Sequence, residues 1–583
     1  MHLAFLDGLI IAVYFIFVLV VGILLTKKGG KSLSDYFVSG RKLNWWLAGT
    51  SMVATTFAAD TPLAVTGLVA QHGIAGNWLW WNMVFSGILT VFVFARLWRR
   101  SEVITDVEFV EARYSGTPAS ILRGFKAVYL AIPINCIIIG WVNLAMMLIL
   151  QHTIGIEPKY ALAFSLTITL IYSTLGGLWS VVITDFIQFW LAMAGCVILM
   201  FFALGKVGGI AGLQTQLAAN YPDGANLLDF FPAVGSVWMP ISAMVTYLAV
   251  TWWASWYPGA EPGGGGYIAQ RIFSAKNERH SLLAALWFNI AHYTIRPWPW
   301  ILVALAAMVL YPQLSPADQA QGIGYIQAMV NLLPAGFLGL MLAAFFAAYM
   351  STLSTHLNWG SSYLINDVYK RFIKPEASER HYVLVSRIAT VLIAGLSVLT
   401  TMQMTTVAGA WKFLIAIGAG TGSVYILRWF WWRINAWSEI SAMVAAFIIS
   451  VVLQFGLKWK VDNPYQFVWM TLTTVAGTTF IWVMVTLLTS PVDQEKLKEF
   501  YRRIKPSGFW KPIQQELPEV QRTDNLKSDL INWLSGCVII YCVLFGIGKL
   551  IFGATLMGLA LLAIAGVLWL NISRDLQARV KEE

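Results

Sequence analysis

Three small residues stand on one face of an apolar segment beyond the middle of the chain. In "AAYMSTLSTHLNWGSSYLINDVYKRF", Ala348, Ser351 and Thr352 are spaced i, i+3 and i+4, so they share a helical face. Two hydroxyls, joined by carbonyls that a broken helix leaves free, would make a hard oxygen site for a small cation. The alternative is structural, because serine and threonine in membrane helices often bond their own i−4 carbonyl or a neighbouring helix.

Four ionisable residues fall where apolar segments would cross lipid: Asp60, Glu261, His292 and Arg296. Such residues are expensive in hydrocarbon and commonly functional, so each is a candidate for contact with a solute. Each also has a structural alternative. Asp60 could cap a helix that restarts there, and Glu261 could form an internal ion pair with Arg296. A guanidinium also suits a carboxylated solute.

The composition indicates a membrane protein. Of 583 residues, 58% are hydrophobic and 12% are charged, and the mean hydropathy is +0.67. Apolar runs of roughly 20 residues, enough to cross the hydrocarbon core, recur along the chain. We therefore predict an all-α polytopic membrane protein with about fifteen transmembrane helices. We find no HExxH pair and no Ser/His/Asp grouping, which disfavours a membrane-embedded enzyme, and the short tail disfavours a sensor.

Two of the predicted spans are interrupted near their middle. In "MVATTFAADTPLAV", Thr61 before Pro62 predicts an N-cap where a helix restarts. In "WYPGAEPGGGGYIAQR" (256–271), no Gly-Lys-Ser/Thr follows the glycines, which argues against a phosphate loop. Irregular backbone persists in a membrane only where it lines a cavity or is buried in protein. Breaks at matching places in two blocks of five spans predict a transporter with inverted repeats, a mere kink being the alternative.

The basic residues predict the orientation. If the N-terminus is outside, 32 of the 39 lysines and arginines fall in inner loops or the C-terminal tail. This bias predicts a cytoplasmic C-terminus in the plasma (inner) membrane. It also accounts for the formal net charge of +10 without a nucleic-acid partner.

The spans and breaks divide the chain into six parts. They are an N-terminal flanking helix (1–30), a first inverted repeat (46–207), a second inverted repeat (236–433), two flanking helices (436–489), a cytoplasmic linker (490–530), and two extra helices with a short tail (531–583).

Three stretches carry a resemblance to a known family. "GGLWSVVITDFIQFWLAMAG", "AAYMSTLSTHLNWGSSYLINDVYKRF" and "YIAQRIFSAKN" together resemble the sodium/solute symporter family, over roughly residues 4–490. That family includes sodium-coupled sugar, proline and sialic acid transporters. The resemblance implies the LeuT-type fold of two inverted five-helix repeats with flanking helices, and Na+ as the coupling ion.

The resemblance also implies roles for individual residues. Matched along "SMVATTFAAD", the sodium site takes the carbonyls of Ala54, Phe57 and Ala348 and the hydroxyls of Ser351 and Thr352. Asp185 matches an acidic residue associated with sodium leaving toward the cytoplasm. Tyr267 matches an aromatic residue that closes over substrate in some members, and Thr56 beside the first break joins the solute-binding candidates.

The chain departs from the family pattern around its second break. The family's sugar transporters have an amide-bearing residue shortly before the tyrosine, whereas this chain has only 263–266, all glycine. The stretch between "WWAS" and "YIAQR" is also about three residues longer than usual. The usual substrate contacts therefore do not carry over.

The expected function is sodium-coupled symport of a small polar organic solute into the cell by alternating access, with a sugar or polyol as the default solute. The expected partners are the solute, the sodium ion and the lipid bilayer. Two alternatives of the same class stay open: transport of an organic anion such as a sugar acid, and a proton-coupled or uncoupled carrier.

Overall fold

Helices form nearly all of the chain in this computed structural model. The structure describes residues 3–29, 32–221, 226–253, 263–404, 418, 420–461, 463–520 and 524–582. Within those ranges, β structure is limited to two isolated bridges, Leu43 with Ala275 and Trp431 with Phe509.

The first half of the chain contains helices α1 to α12. They are α1 (Phe5–Gly29), α2 (Leu33–Val38), α3 (Trp45–Thr55), α4 (Asp60–His72), α5 (Trp78–Trp81), α6 (Val84–Leu89), α7 (Ala95–Ser101), α8 (Phe109–Arg113), α9 (Gly116–Tyr129), α10 (Asn135–Ile154), α11 (Pro158–Lys206) and α12 (Gly209–Asn220).

The second half contains helices α13 to α27 in the described ranges. They are α13 (Ile241–Ala249), α14 (Gly266–Ser274), α15 (Glu278–Ile290), α16 (Pro297–Leu310), α17 (Pro316–Ala320), α18 (Ile323–Leu332), α19 (Phe337–Ser362), α20 (Glu379–Met402), α21 (Gly422–Phe430), α22 (Ala436–Val451), α23 (Pro464–Leu488), α24 (Gln494–Ile504), α25 (Lys511–Gln514), α26 (Leu526–Ile551) and α27 (Thr555–Glu582). Short 3-10 or π turns adjoin several of them: Ser39–Arg41, Ile74–Asn77, Thr90–Phe94, Leu130–Ile134, Asn226–Leu228, Thr251–Trp253, Ala291–Ile295, Tyr363–Ile373 and Val452–Gly456.

The described ranges allow only a partial count of the membrane spans. Ten helices in the described ranges are long and apolar enough to cross a membrane, or up to twelve if each bent pair counts as one span. The expected fifteen are not confirmed. The spans expected at 158–177 and 180–206 both fall in α11, where the non-helical backbone of Gly177 (φ 56°, ψ −154°) separates two helical segments. Residues 405–417 and 419, inside another expected span, lie outside the described residues.

The break in the first repeat is confirmed. Between α3 and α4 the chain bends by 59°, and residues 56–59 are not helical. The predicted N-cap is wrong in detail, because α4 begins at Asp60 with Ala59 as its N-cap residue. The Thr61 hydroxyl instead donates to the Thr56 carbonyl across the gap at 3.4 Å. It thereby meets a backbone group that the break leaves open.

The described part of the second break is held in a glycine-only conformation. Gly263 and Gly264 have φ of 91° and 71° before α14 begins. A Cβ on Gly264 would also lie 2.7 Å from Thr90 Cγ2. The Trp98 indole donates to the Gly263 carbonyl at 2.5 Å, and Asp106 accepts the amide hydrogen of Gly266 at 3.0 Å. Side chains from other segments therefore satisfy this irregular backbone.

Helix α19 lies in the interior and positions one wall of the site. All but two of its 26 residues are buried, as expected for a helix that is apolar on every side. It packs most extensively against α11 and also contacts α1, α20, α10 and α3. Its N-terminus is capped in trans by Asp7 of α1, whose Oδ1 accepts the Gly336 and Gly339 amides at 2.7 Å each. The hydroxyl face of α19 is therefore held against both α3 and α11.

The segment after 490 folds back onto the rest of the molecule. Asp524 lies between Arg96 at 3.0 Å and Arg100 at 2.6 Å. Asp529 at the start of α26 also contacts Arg96, at 2.9 Å. Helix α26 then packs along α6 and the adjoining turn Thr90–Phe94. The linker and the extra helices are thus tied to the end of α7 by buried ion pairs.

We predict that Gly264→Ala destabilises the protein, whereas Gly265→Ala does not. An alanine at φ 71° carries a left-handed strain of about 1–2 kcal/mol. Gly265 has an extended conformation (φ −62°, ψ 179°) that alanine adopts freely, so it is the matched control. The measurement is thermal unfolding of detergent-purified protein followed by tryptophan fluorescence. Equal midpoints for the two variants would contradict the requirement for glycine at 264.

Candidate functional site

The hydroxyl face of α19 meets the end of α3 at the first break. The Thr352 hydroxyl donates to the Thr55 carbonyl at 2.8 Å and to the Ala348 carbonyl, its own i−4 partner, at 3.1 Å. Both structural alternatives for this threonine therefore occur together. They also bring Thr352 to the last turn of α3, directly beside Ala54.

Ser351 faces a buried carboxylate on α11. Its hydroxyl donates to Asp185 Oδ1 at 2.7 Å, and the Ser51 hydroxyl of α3 donates to Oδ2 at 2.5 Å. Asp185 has no exposed surface. The structure thus joins three helices at this carboxylate, and it brings Asp185 into direct contact with a predicted sodium ligand.

The predicted cation ligands where α3 meets α19 are all oxygen atoms. Ala54 and Phe57 are buried, and the Phe57 amide donates to the Ala54 carbonyl at 3.1 Å in the turn that ends α3. Carbonyls, hydroxyls and a carboxylate are the hard ligands that a small cation such as Na+ prefers. The chemistry of the residues present therefore fits sodium.

Arg271 lies in the same layer and was missed by the sequence reasoning. It is fully buried, and its Nε donates to Ser51 Oγ at 3.1 Å. Its Nη2 donates to Thr355 Oγ1 at 2.7 Å and lies 3.6 Å from Asp185 Oδ2. The sequence does contain a signal, since Arg271 directly follows "YIAQ". The sequence pattern alone places that arginine at the inner end of a span.

A cavity lies beside the break, between α4, α10 and the α15–α16 segment. Its cavity volume is about 90 Å³. Its polar lining residues are Thr56, Asp60, Thr61, His292, Arg296 and Thr352. Its aromatic lining residues are Trp80, Trp141, Phe288 and Tyr293.

Arg296, His292 and Thr56 form one hydrogen-bonded group in the cavity wall. Arg296 donates from Nη1 to Thr56 Oγ1 at 3.1 Å, and its Nη2 lies 3.2 Å from His292 Nε2. Since a guanidinium only donates, Nε2 must accept, which places the hydrogen of a neutral ring on Nδ1. That nitrogen is 3.1 Å from Thr56 Oγ1, whose own hydrogen goes to the Val53 carbonyl at 2.9 Å. The three candidates therefore act as one unit.

Asp60 presents an acceptor to the cavity. It is the first residue of α4, where the helix N-terminus favours a negative charge, and it is 3% exposed. Among the described residues, Asp60 Oδ1 has no hydrogen-bond partner. Buried carboxylate oxygens are normally satisfied, so this atom is available to a bound molecule.

Of the two other candidates, Tyr267 lies among the described residues and stands apart from this group. Tyr267 is fully buried and packs on His356 with ring centroids 5.6 Å apart; the described cavity lining does not include it. Glu261 lies outside the described residues, so its pairing with Arg296 stays a prediction.

A membrane helix that is interrupted beside a cavity with polar residues in its wall is typical of a secondary transporter. Comparison with known proteins supports this class. The model of the sodium:solute symporter family matches residues 36–446, more than half of the chain. The chain belongs to the sodium:solute symporter family.

Curated relatives agree with this assignment. A sodium/glucose cotransporter 4 of Danio rerio is 26% identical, covering 84% of this chain and 80% of the relative. A sodium/myo-inositol cotransporter 2 of Homo sapiens is 25% identical, covering 79% and 71%. A sodium/glucose cotransporter of Vibrio parahaemolyticus is 26% identical, covering 78% and 86%.

A solved structure supports the fold. A Na+-coupled sialic acid symporter in a substrate-bound outward-open state matches with a TM-score of 0.68 and 21% identity, covering 84% of this chain and 99% of that one. The fold is accordingly the LeuT type. The protein is a multi-pass membrane protein that carries out sodium-coupled symport of a solute, and it is a transporter rather than an enzyme.

Proposed function

We propose that this chain imports a neutral polyhydroxylated solute, a sugar or polyol, together with sodium. The observation that carries the proposal is that Asp60 and Arg296, of opposite charge, line the same cavity. Solute and ion cross by alternating access, with the repeats 46–207 and 236–433 moving against each other. The N-terminus faces outward and the C-terminus lies in the cytoplasm of a cell whose plasma (inner) membrane holds the protein.

The charges in the cavity favour an uncharged solute. The guanidinium and the carboxylate offset each other, so an added anion would meet the Asp60 charge inside the same low-dielectric space. A hydroxyl can donate to the open Asp60 Oδ1 and accept from a neighbouring donor. The rings of Trp80 and Trp141 offer faces for the apolar side of a sugar. Relatives described as cotransporters of glucose, myo-inositol and mannose support this assignment.

An organic anion such as a sugar acid is the second candidate. It is favoured by Arg296 in the cavity wall and by the likeness to a sialic acid symporter. An Arg296 guanidinium suits a carboxylate through two parallel hydrogen bonds. In this version, Asp60 would bind the hydroxyls of the acid instead of excluding it.

The sodium ion is assigned to the point where α3 and α19 meet. Its ligands are the carbonyls of Ala54, Phe57 and Ala348 and the hydroxyls of Ser351 and Thr352. Ser351 gives its hydrogen to Asp185, and Thr352 gives its hydrogen to backbone carbonyls. Both hydroxyls can therefore turn lone pairs toward a cation. Asp185 beside Ser351 is assigned to sodium release toward the cytoplasm.

The double substitution Ser351→Ala and Thr352→Ala should raise the half-saturating sodium concentration at least tenfold. Losing hydrogen-bonding or ligand oxygens at about 1–3 kcal/mol each produces this shift. The readout is the sodium-dependent rise in unfolding temperature of purified protein, with choline keeping the ionic strength constant.

Ser362→Ala is the matched control, because Ser362 is buried on the same helix and donates only to the Trp359 carbonyl at 2.6 Å. Its sodium response should equal that of the wild type. If the double variant folds and its half-saturating sodium concentration is unchanged, the sodium site does not include Ser351 and Thr352 of α19. Equal stabilisation by choline and sodium would favour proton coupling or no coupling.

For the solute, we predict that Asp60→Asn weakens uptake of myo-inositol or glucose at least tenfold while the sodium midpoint changes less than twofold. The amide keeps the volume but replaces the charged acceptor, and a hydrogen bond to a charged group is worth about 1.5–3 kcal/mol. The measurement is sodium-driven uptake into proteoliposomes, with glucuronate as the anionic competitor.

Asp318→Asn, at an exposed turn outside the cavity, is the control for the amide change. Wild-type protein should take up glucuronate at least tenfold less well than the neutral solute. Preferential uptake of glucuronate, lost in a well-folded Arg296→Ala variant, would establish the anionic alternative instead.

A further inference from the structure

Arg271 connects three helices around the buried carboxylate. It lies on α14 and contacts Ser51 of α3 and Thr355 of α19 at 3.1 and 2.7 Å. Its Nη2 is 3.6 Å from Asp185 Oδ2 of α11. Its Nη1 donates to Gln270 Oε1 at 2.8 Å. The guanidinium is thus oriented mainly by neutral acceptors, while its charge lies beside a carboxylate.

The residues around the Arg271 guanidinium lie on one side only of the proposed sodium ligands. Ser51 precedes Thr55 by one helical turn, and Thr355 follows Ser351 by one turn. In the proposed orientation α3 and α19 run in opposite directions, so both steps lead toward the cytoplasm. One turn corresponds to about 5.4 Å along a helix. A sodium ion that leaves through Asp185 therefore passes the Arg271 guanidinium.

A positive partner stabilises a charged carboxylate in the interior, because an isolated buried charge is very unfavourable. A sodium ion at Ser351 would be such a partner. Once it has left, Arg271 is the basic side chain that the described structure places within 4 Å of Asp185. The Ser51 hydroxyl connects the two at 2.5 Å to Asp185 and 3.1 Å to Arg271.

We propose that Arg271 is a tethered cation that competes with sodium for Asp185. It neutralises the carboxylate in the empty transporter, and it loses that interaction when sodium binds at Ser351. The competition lowers sodium affinity and so promotes sodium release at the cytoplasmic side. Asp185 lies on α11, whereas Arg271 lies on α14, which begins directly after the irregular backbone of Gly263 and Gly264. Movement at that break would separate the two charges. The inference rests on the proposed sodium site.

The test is the sodium midpoint of thermal stabilisation for the full-length purified protein, with choline keeping the ionic strength constant. Arg271→Gln removes the charge and keeps a hydrogen-bond donor, so the half-saturating sodium concentration should fall at least tenfold. Arg271→Lys keeps the charge, and its midpoint should stay within about threefold of the wild type. A coupling of this size is typical of linked sites.

The variant Asp185→Asn separates competition from a structural role. In that background Arg271→Gln should change the sodium midpoint less than twofold, because there is no carboxylate left to compete for. This pair also carries no uncompensated charge, which keeps the test available if Arg271→Gln alone does not fold. If Arg271→Gln still lowers the midpoint tenfold in the Asp185→Asn background, the competition is refuted.

Ser51→Ala should shift the sodium midpoint in the direction opposite to Arg271→Gln. Removing the connecting hydroxyl leaves Arg271 and Asp185 to pair directly, so the sodium midpoint should rise at least threefold. A folded Arg271→Gln with an unchanged or higher midpoint overturns the inference, as does Ser51→Ala without a rise. If the wild type responds to sodium but the Ser351/Thr352 double variant does not shift, the proposed sodium site fails instead.

Discussion

Backbone groups cannot stay unpaired in hydrocarbon, and this constraint shapes the whole interior. At the first break, Thr352 donates to the Thr55 carbonyl and Thr61 donates to the Thr56 carbonyl. At the second break, Trp98 donates to the Gly263 carbonyl and Asp106 accepts the amide of 266. Each of these four backbone groups is met by a side chain of another segment. The packing that makes the breaks tolerable is therefore the same packing that builds the site.

The buried charged residues near α3 form two layers, each with one acidic and one basic side chain. One layer holds Asp185 and Arg271 with a serine hydroxyl between them, and the other holds Asp60 and Arg296 in the cavity wall. The layers meet at adjacent residues, since Thr55 offers its carbonyl to Thr352 while Thr56 accepts from Arg296. Movement of the turn that contains Thr55 and Thr56 would change the contacts of both layers at the same time. In the proposed mechanism, that adjacency couples the ion to the solute.

Much of this could be predicted locally. The excess of apolar residues excludes a soluble domain, and the proline and glycine clusters place both breaks to within a few residues. The hydroxyl spacing on α19 needs only helical geometry. One local expectation was wrong in detail: α4 begins one residue before the expected cap, and the Thr61 hydroxyl bonds to the Thr56 carbonyl instead of capping the helix. The spans expected at 158–177 and 180–206 meet at Gly177, whose backbone is not helical.

The sequence by itself determined the membrane class, the interrupted helices and the residue types of an oxygen-rich ion site, because composition and helical periodicity are properties of neighbouring residues. Only the tertiary structure decided which of those residues meet. It joined Ser351 to Asp185, placed Arg271 beside both, and grouped Arg296 with His292 and Thr56. It also set Tyr267 against His356, outside the described lining of the cavity. Arg296 and His292 are neighbours on one helix, four positions apart. The other contacts join residues far apart in the chain, 166 positions for Ser351 with Asp185 and 240 for Arg296 with Thr56, and these partners follow from how helices pack rather than from any local pattern.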